Sequence, residues 1–239
     1  MAELTQYEMT TGIILFIVMI LQFGLSAVLM AKYSSTKDKR VLYFSLFMAF
    51  GTLSFLVISI NFINILVTGN SIGAFPYLLI AFGFAPISVL FWMILMTELM
   101  YQDKRKIILG IFLIYWIVVR VAFFYLLFTD IDSLATNIWI GGLQQGIFLR
   151  VIQVIRLLLI LIFSILFFQQ SHKSENKEVR LKGTLFLLAI LILVGSMLLY
   201  SITQNPIFIL IFMIPSLLFF YGSLVMPSSL KRRLIKESE

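Results

Sequence analysis

The sequence contains no cysteine, only one histidine and few charged residues. Without cysteine there is no disulfide, no thiolate metal site and no lipid attached through a thiol. The one histidine, His172, lies among Lys and Ser between two hydrophobic stretches. Paired carboxylates, nucleophile–base pairs and clusters of metal ligands do not occur within those stretches. We therefore expect no enzyme, no metal site and no cofactor.

Hydrophobic residues are abundant instead, and they make up 61% of the 239 residues, whereas charged residues make up 12%. Such a chain is too apolar to bury its apolar surface in one soluble core. We predict an all-α integral membrane protein of the cell membrane, a single seven-helix transmembrane domain over residues 1–239. The predicted spans 1 to 7 are 11–31, 41–67, 77–100, 107–128, 146–169, 183–203 and 207–226.

The charge of +7 is distributed as a topology signal and not as a nucleic-acid surface. All but three of the 18 Lys and Arg follow span 1, span 3, span 5 or span 7, and the loops on the opposite side contain none. Cytoplasmic loops of membrane proteins carry such an excess of positive charge. The sequence thus predicts an N-terminus outside, a cytoplasmic C-terminus, and a short basic cytoplasmic tail at 227–239, which we expect to lie on anionic membrane lipids.

The three exceptions are arginines within predicted spans, Arg120, Arg150 and Arg156. Arg150, Gln153 and Arg156 recur at i, i+3 and i+6, which places them on one face of a helix. Helix geometry puts Arg120 and Arg156 at a common depth, each about 20 Å from the cytoplasmic end of its span. A charge in hydrocarbon needs an anion, water or a route to the interface.

Polar residues in the outer half of the bundle form a candidate site with net positive charge. Guanidinium groups match the geometry of carboxylates and phosphates, so the expected ligand is an anionic or amphiphilic small molecule or lipid. The candidate ligand-binding residues are Asn61, Asn64, Arg120, Arg150, Gln153, Arg156, Tyr200 and Gln204, with Asn205 nearby.

A purely structural explanation is equally open at this point. Arg150 would extend to the interface, while Arg120 and Arg156 would pair with Asp130 and Asp132 of the long outer loop. Asn61 and Asn64 would then cap the end of span 2.

Two segments of the chain are similar to a known family. They are RVLYFSLFMAFGTLSFL, which follows a basic turn, and APISVLFWMILMTELMYQDKRK, which places Pro86 inside span 3. Over about the first five spans the chain resembles the seven-helix N-terminal sensor region of prokaryotic histidine kinases. That family is taken to sense an extracellular or membrane signal and to pass it to a cytoplasmic catalytic domain. Since only residues 227–239 follow span 7, either a separate cytoplasmic signalling partner reads the signal or the chain is not a sensor.

Three functions are compatible with the sequence. The leading hypothesis is a receptor-like protein that binds an anionic ligand and changes its helix packing around Pro86 and Pro215. The second is a transporter of small anions or a lipid-translocating protein, although the prolines do not recur in paired helices. The third is a structural membrane subunit whose arginines lie against an acidic helix of a partner. Because no predicted span contains Lys, a retinal Schiff base is excluded.

Overall fold

The computed structural model describes residues 4–139, 142–203 and 206–226. It is 87% helical, and seven of its helices are long and apolar enough to cross a membrane, which confirms the predicted helical bundle. The basic tail at 227–239 lies outside the described residues. The spans are Gln6–Thr36, Lys39–Thr68, Ala74–Met100, Arg105–Thr129, Ile147–His172, Lys177–Thr203 and Pro206–Val225, numbered 1 to 7.

Local hydrogen bonds set the first helix boundaries. The Thr5 side chain accepts from the Glu8 N–H, and the Glu8 carboxylate accepts from the Thr5 N–H at 2.9 Å, so a capping box starts span 1. Span 1 ends at Lys37, whose φ of 55° lies in the left-handed region. Asp38 then caps span 2, and the guanidinium of Arg40 that donates to it holds the pKa of this carboxyl below its ordinary value.

Span 3 is interrupted, as Pro86 predicts. Because Pro86 has no N–H, the carbonyl of Phe82 four residues earlier has no donor within the helix. The chain accommodates this with a π-helix over Leu79–Phe84, in which the Ala85 N–H donates to the Ile80 carbonyl at 3.1 Å. An α-helix resumes over Ile87–Met100.

Six spans form a closed ring in the order 1, 2, 3, 5, 6, 7, and span 7 packs against span 1. Span 4 lies outside this ring and packs against span 3. We call the end with the basic loops the basic-loop end, where the Lys32 ammonium donates to the Leu224 carbonyl at 2.9 Å. That this end is cytoplasmic stays a prediction.

The connection between spans 4 and 5 is more ordered than the predicted loop. It consists of a short helix, Ile131–Leu134, and an antiparallel hairpin of β1 (Ala135–Trp139) and β2 (Gly142–Gln145). Gly146 closes the segment, because its N–H donates to the Leu134 carbonyl at 2.7 Å and a Cβ there would collide with the Ser133 carbonyl. We call this end of the bundle the hairpin end.

Aromatic rings fill the centre of the bundle in its basic-loop half. Phe44 of span 2 lies 5.0 Å from Phe220 of span 7 between ring centroids, and Trp92 of span 3 stacks on Phe186 of span 6 at 5.4 Å. Tilted and stacked ring pairs of this kind add to the stability that burial alone provides. The cluster joins four spans of the ring at one level.

Replacing Phe44 with Ala should destabilise the bundle, since Phe44 is fully buried and contacts the rings of Phe186 in span 6 and Phe220 in span 7. We expect a loss of about 3–5 kcal/mol, seen as a lower thermal unfolding temperature in detergent. Phe23→Ala is the matched control, because Phe23 is 60% exposed. Equal losses in the two variants would contradict this description of the core.

Candidate functional site

Arg120 of span 4 binds the interrupted part of span 3. Its guanidinium donates to the carbonyl of Phe82 and, at 3.4 Å, to that of Gly83. The Phe82 carbonyl is the one that Pro86 leaves without a helical donor. Arg120 therefore supplies a hydrogen bond that the backbone cannot, and a carbonyl left unpaired in hydrocarbon would cost several kcal/mol.

Two aromatic rings flank this guanidinium. Its central carbon lies 5.7 Å from the ring centroid of Trp116 and 5.4 Å from that of Phe123, within the range of cation–π attraction. Arg120 is only 7% exposed, and its buried Nε has no hydrogen-bond partner among the described residues. Backbone carbonyls and rings thus surround Arg120, and no anion of the described chain does.

Arg156 lies on the inward face of span 5. It shares a helical stripe with Leu149, Ile160 and Ser164, all buried, whereas Leu158 on the opposite face is 50% exposed. Yet Arg156 itself is only half-buried. No hydrogen bond or ion pair of its side chain occurs within the described ranges. Arg156 is an inward-facing cation that the described chain leaves uncompensated.

Arg120 and Arg156 lie at one depth. Each is about 14 Å along its helix from the hairpin end, counted from Thr129 and from Ile147. Both helices that carry them contact span 3. In the described part of the chain the ion pairs lie at the basic-loop end, between Arg40 and Asp38, Arg105 and Glu98, and Lys182 and Glu178.

Two other members of the predicted site, Arg150 and Gln153, bind the hairpin. The Arg150 Nε donates to the Gln145 carbonyl at 2.8 Å. The Gln145 side-chain amide in turn donates to the Gln153 Oε1 at 3.1 Å. The predicted polar stripe is therefore divided, since these two residues hold β2 while Arg156 faces the interior.

The predicted asparagines shape the loop after span 2. The Asn61 Oδ1 accepts from the Ile72 N–H at 3.0 Å, and the Asn64 amide donates to the Asn70 carbonyl at 2.7 Å. Both asparagines thus bind the loop, while the C-terminal end of span 2 is capped by the Gly69 N–H, which donates to the Ile65 carbonyl. The remaining predicted site positions, Gln204 and the nearby Asn205, lie outside the described residues, as does the side chain of Tyr200.

The outer-loop acids do not pair with the arginines in the described part of the structure. The Asp130 carboxylate accepts from the Ser133 N–H at 3.3 Å and caps the short helix. Asp132 lies in the first turn of that helix and forms no ion pair with a described residue. The ion pairs that the structural explanation expects between these acids and Arg120 or Arg156 therefore do not occur among the described residues.

A cluster of buried apolar residues lies between the hairpin segment and spans 3, 4 and 5, nearer the hairpin end than the two arginines, and we call it the apolar cap. Along span 4, Leu127 lies about 10 Å nearer the hairpin end than Arg120. Along span 5, Leu149 lies about 10 Å nearer the hairpin end than Arg156. Sequence reasoning missed this cap because its residues resemble every other apolar residue of the spans. Its buried members are Leu78, Phe123, Leu127, Leu134, Ala135 and Leu149.

No protein family matches the chain, and no curated protein and no solved structure matches it either. The resemblance to the sensor region of histidine kinases stays a prediction. Chemically, the guanidinium groups of Arg120 and Arg156 match the geometry of a carboxylate or phosphate.

The contact between Arg120 and Phe82 can be tested with a double-mutant cycle. Arg120→Gln should cost about 1–3 kcal/mol of stability, because it leaves the Phe82 carbonyl with a weaker donor or none. Pro86→Ala restores a backbone N–H that can donate to the same carbonyl. In the Pro86→Ala background, Arg120→Gln should cost clearly less. Thermal unfolding of the four proteins measures the coupling, and additive losses would show that the two residues act independently.

Proposed function

We propose that this protein is a receptor-like seven-helix membrane protein that binds an anionic or amphiphilic ligand and signals to a separate cytoplasmic partner. The ligand's anion binds at Arg156, next to Arg120, in the half of the bundle that ends in the hairpin. We assign that half to the outer side of the cell membrane, because the basic loops lie at the opposite end.

One observation carries this proposal: Arg156 faces inward and has no partner among the described residues. Arg120, a second cation, lies at the same depth on span 4, and two cations at one level of the hydrocarbon increase the need for a counter-charge. Since charged groups within membrane spans are rare and generally functional, an anion from outside the chain is the simplest compensation.

Binding at this place would couple to span 3. An anion beside Arg156 also attracts Arg120 and so competes with the Phe82 carbonyl for its guanidinium. Release of that carbonyl favours a change of helix geometry at the π-helix and Pro86, because π-turns and prolines are where helices bend. Span 3 then carries the change to the basic-loop end, where a partner can read it.

A second function, translocation of an anionic lipid, is favoured by the depth of the two arginines. Each lies only about 5 Å from the midpoint of its helix, where a headgroup that crosses the bilayer needs a counter-charge most. Flux of a labelled anionic lipid across proteoliposomes separates this function from signalling. A receptor gives binding without flux.

Ligand binding should depend on Arg156. With phosphatidylglycerol or oleate as the probe, we expect the thermal unfolding temperature of the purified protein in neutral detergent to rise by several degrees. Phosphatidylcholine and oleyl alcohol, which carry no net charge, should not raise it. In Arg156→Gln the rise should disappear, because a carboxamide provides neither the charge nor the fork of a guanidinium.

Arg150→Gln is the matched control for this experiment. It removes the same kind of charge from the same helix, but Arg150 is exposed and binds the hairpin. The rise in unfolding temperature should survive in this variant. A rise that persists in Arg156→Gln, or that both variants lose equally, would contradict the proposed site.

A further inference from the structure

We infer that the ligand reaches the arginines from within the bilayer, between spans 4 and 5, and that it is a membrane lipid with a phosphate or carboxylate headgroup. This inference rests on the proposed anion site and specifies its ligand and its route.

The first observation is the apolar cap. Its six residues, among them Leu134 at 0% and Leu149 at 1% exposure, join spans 3, 4 and 5 to the short helix and β1. A hydrated anion arriving from the water at the hairpin end would have to shed its water to pass these side chains. Because desolvation of an ion costs several kcal/mol, the cap disfavours this path.

The second observation is the way the spans are packed. Consecutive spans 1 and 2 pack closely, and so do spans 5 and 6 and spans 6 and 7, but spans 4 and 5 do not pack along each other within the described residues. Both spans contact span 3 instead. Below the cap, spans 4 and 5 therefore flank span 3 without packing along each other, and in a bundle that crosses a membrane such a gap between two spans opens onto lipid.

The third observation is a shallow, open groove on the surface of span 4 at the level of Arg120, and all the residues that line it belong to that helix. It measures about 560 Å³, its accessible surface is apolar, and the rings of Trp116, Phe124 and Phe128 line it. Arg120 lies at its wall, with the buried Nε that has no partner in the described structure. Such a groove suits an acyl chain, while the headgroup of the same molecule meets the guanidinium groups.

Together these observations favour a ligand that is already dissolved in the membrane. A lipid brings its own apolar part, which stays in hydrocarbon throughout, so only its headgroup exchanges water for guanidinium. A small soluble anion gains the same ion pairs but has no apolar contact with the groove. The structure thus points to recognition of one headgroup charge together with one chain.

The test compares one charged group in soluble and in membrane-bound form. Phosphatidic acid in mixed micelles should raise the unfolding temperature of the wild-type protein by several degrees. Glycerol phosphate and inorganic phosphate at millimolar concentration should not raise it. Arg156→Gln should lose the response to phosphatidic acid, and Arg150→Gln should keep it.

The outcomes distinguish a failure of the anion site from a failure of the route through the bilayer. If the soluble anions stabilise the protein and Arg156→Gln abolishes their effect, the anion site stands and access from the bilayer is overturned. If neither form stabilises the protein through Arg156, the anion site fails, and the inference fails with it.

Crosslinking provides a second measurement that does not depend on a variant. A phosphatidic acid with a photoactivatable group in its acyl chain should label spans 4 and 5 of the wild-type protein in proteoliposomes. Excess unlabelled phosphatidic acid should suppress this labelling, whereas phosphatidylcholine should not. Labelling spread evenly over all seven spans, or suppressed equally by both lipids, would overturn the route.

Discussion

A backbone carbonyl without a donor, inside hydrocarbon, is the constraint on which this bundle depends. Pro86 leaves the Phe82 carbonyl without a donor in its own helix, and hydrocarbon contains no water that could donate to it. The guanidinium of Arg120 satisfies it from the neighbouring span. Span 4 lies outside the ring of six helices and, in the described part of the chain, packs mainly against span 3, so this hydrogen bond also helps to hold span 4 in place.

The role of Arg120 changes the weight of the possible functions. The structural explanation expects both arginines to pair with acids of the outer loop, but Arg120 binds carbonyls and Asp130 caps a short helix. Arg150 and Gln153 hold the hairpin. Arg120, Arg150 and Gln153 thus each hold another part of the chain through a hydrogen bond. Arg156 has none within the described structure, and its inward position, not the number of arginines, is what favours a ligand.

Much of the fold could be predicted from the sequence, because the length and hydropathy of a span are local properties. The seven helices, the interruption at Pro86 and the common depth of Arg120 and Arg156 all follow from counting along the chain. The sequence predicts only a loop where the hairpin lies, because short strands leave no hydropathy signal as strong as that of a span. The partner of Arg120 was not predicted, because every residue has a backbone carbonyl and the sequence does not mark which of them is free. Counting back four residues from Pro86, however, identifies the Phe82 carbonyl as the one that lacks a helical donor.

The aromatic cluster in the basic-loop half makes the bundle asymmetric along its axis. Nearer the basic loops than the arginines, the rings of Phe44, Trp92, Phe186 and Phe220 pack against one another across spans 2, 3, 6 and 7. Phe186 contacts rings of spans 2, 3 and 7 at once, so any displacement of span 6 alters the packing of three other helices.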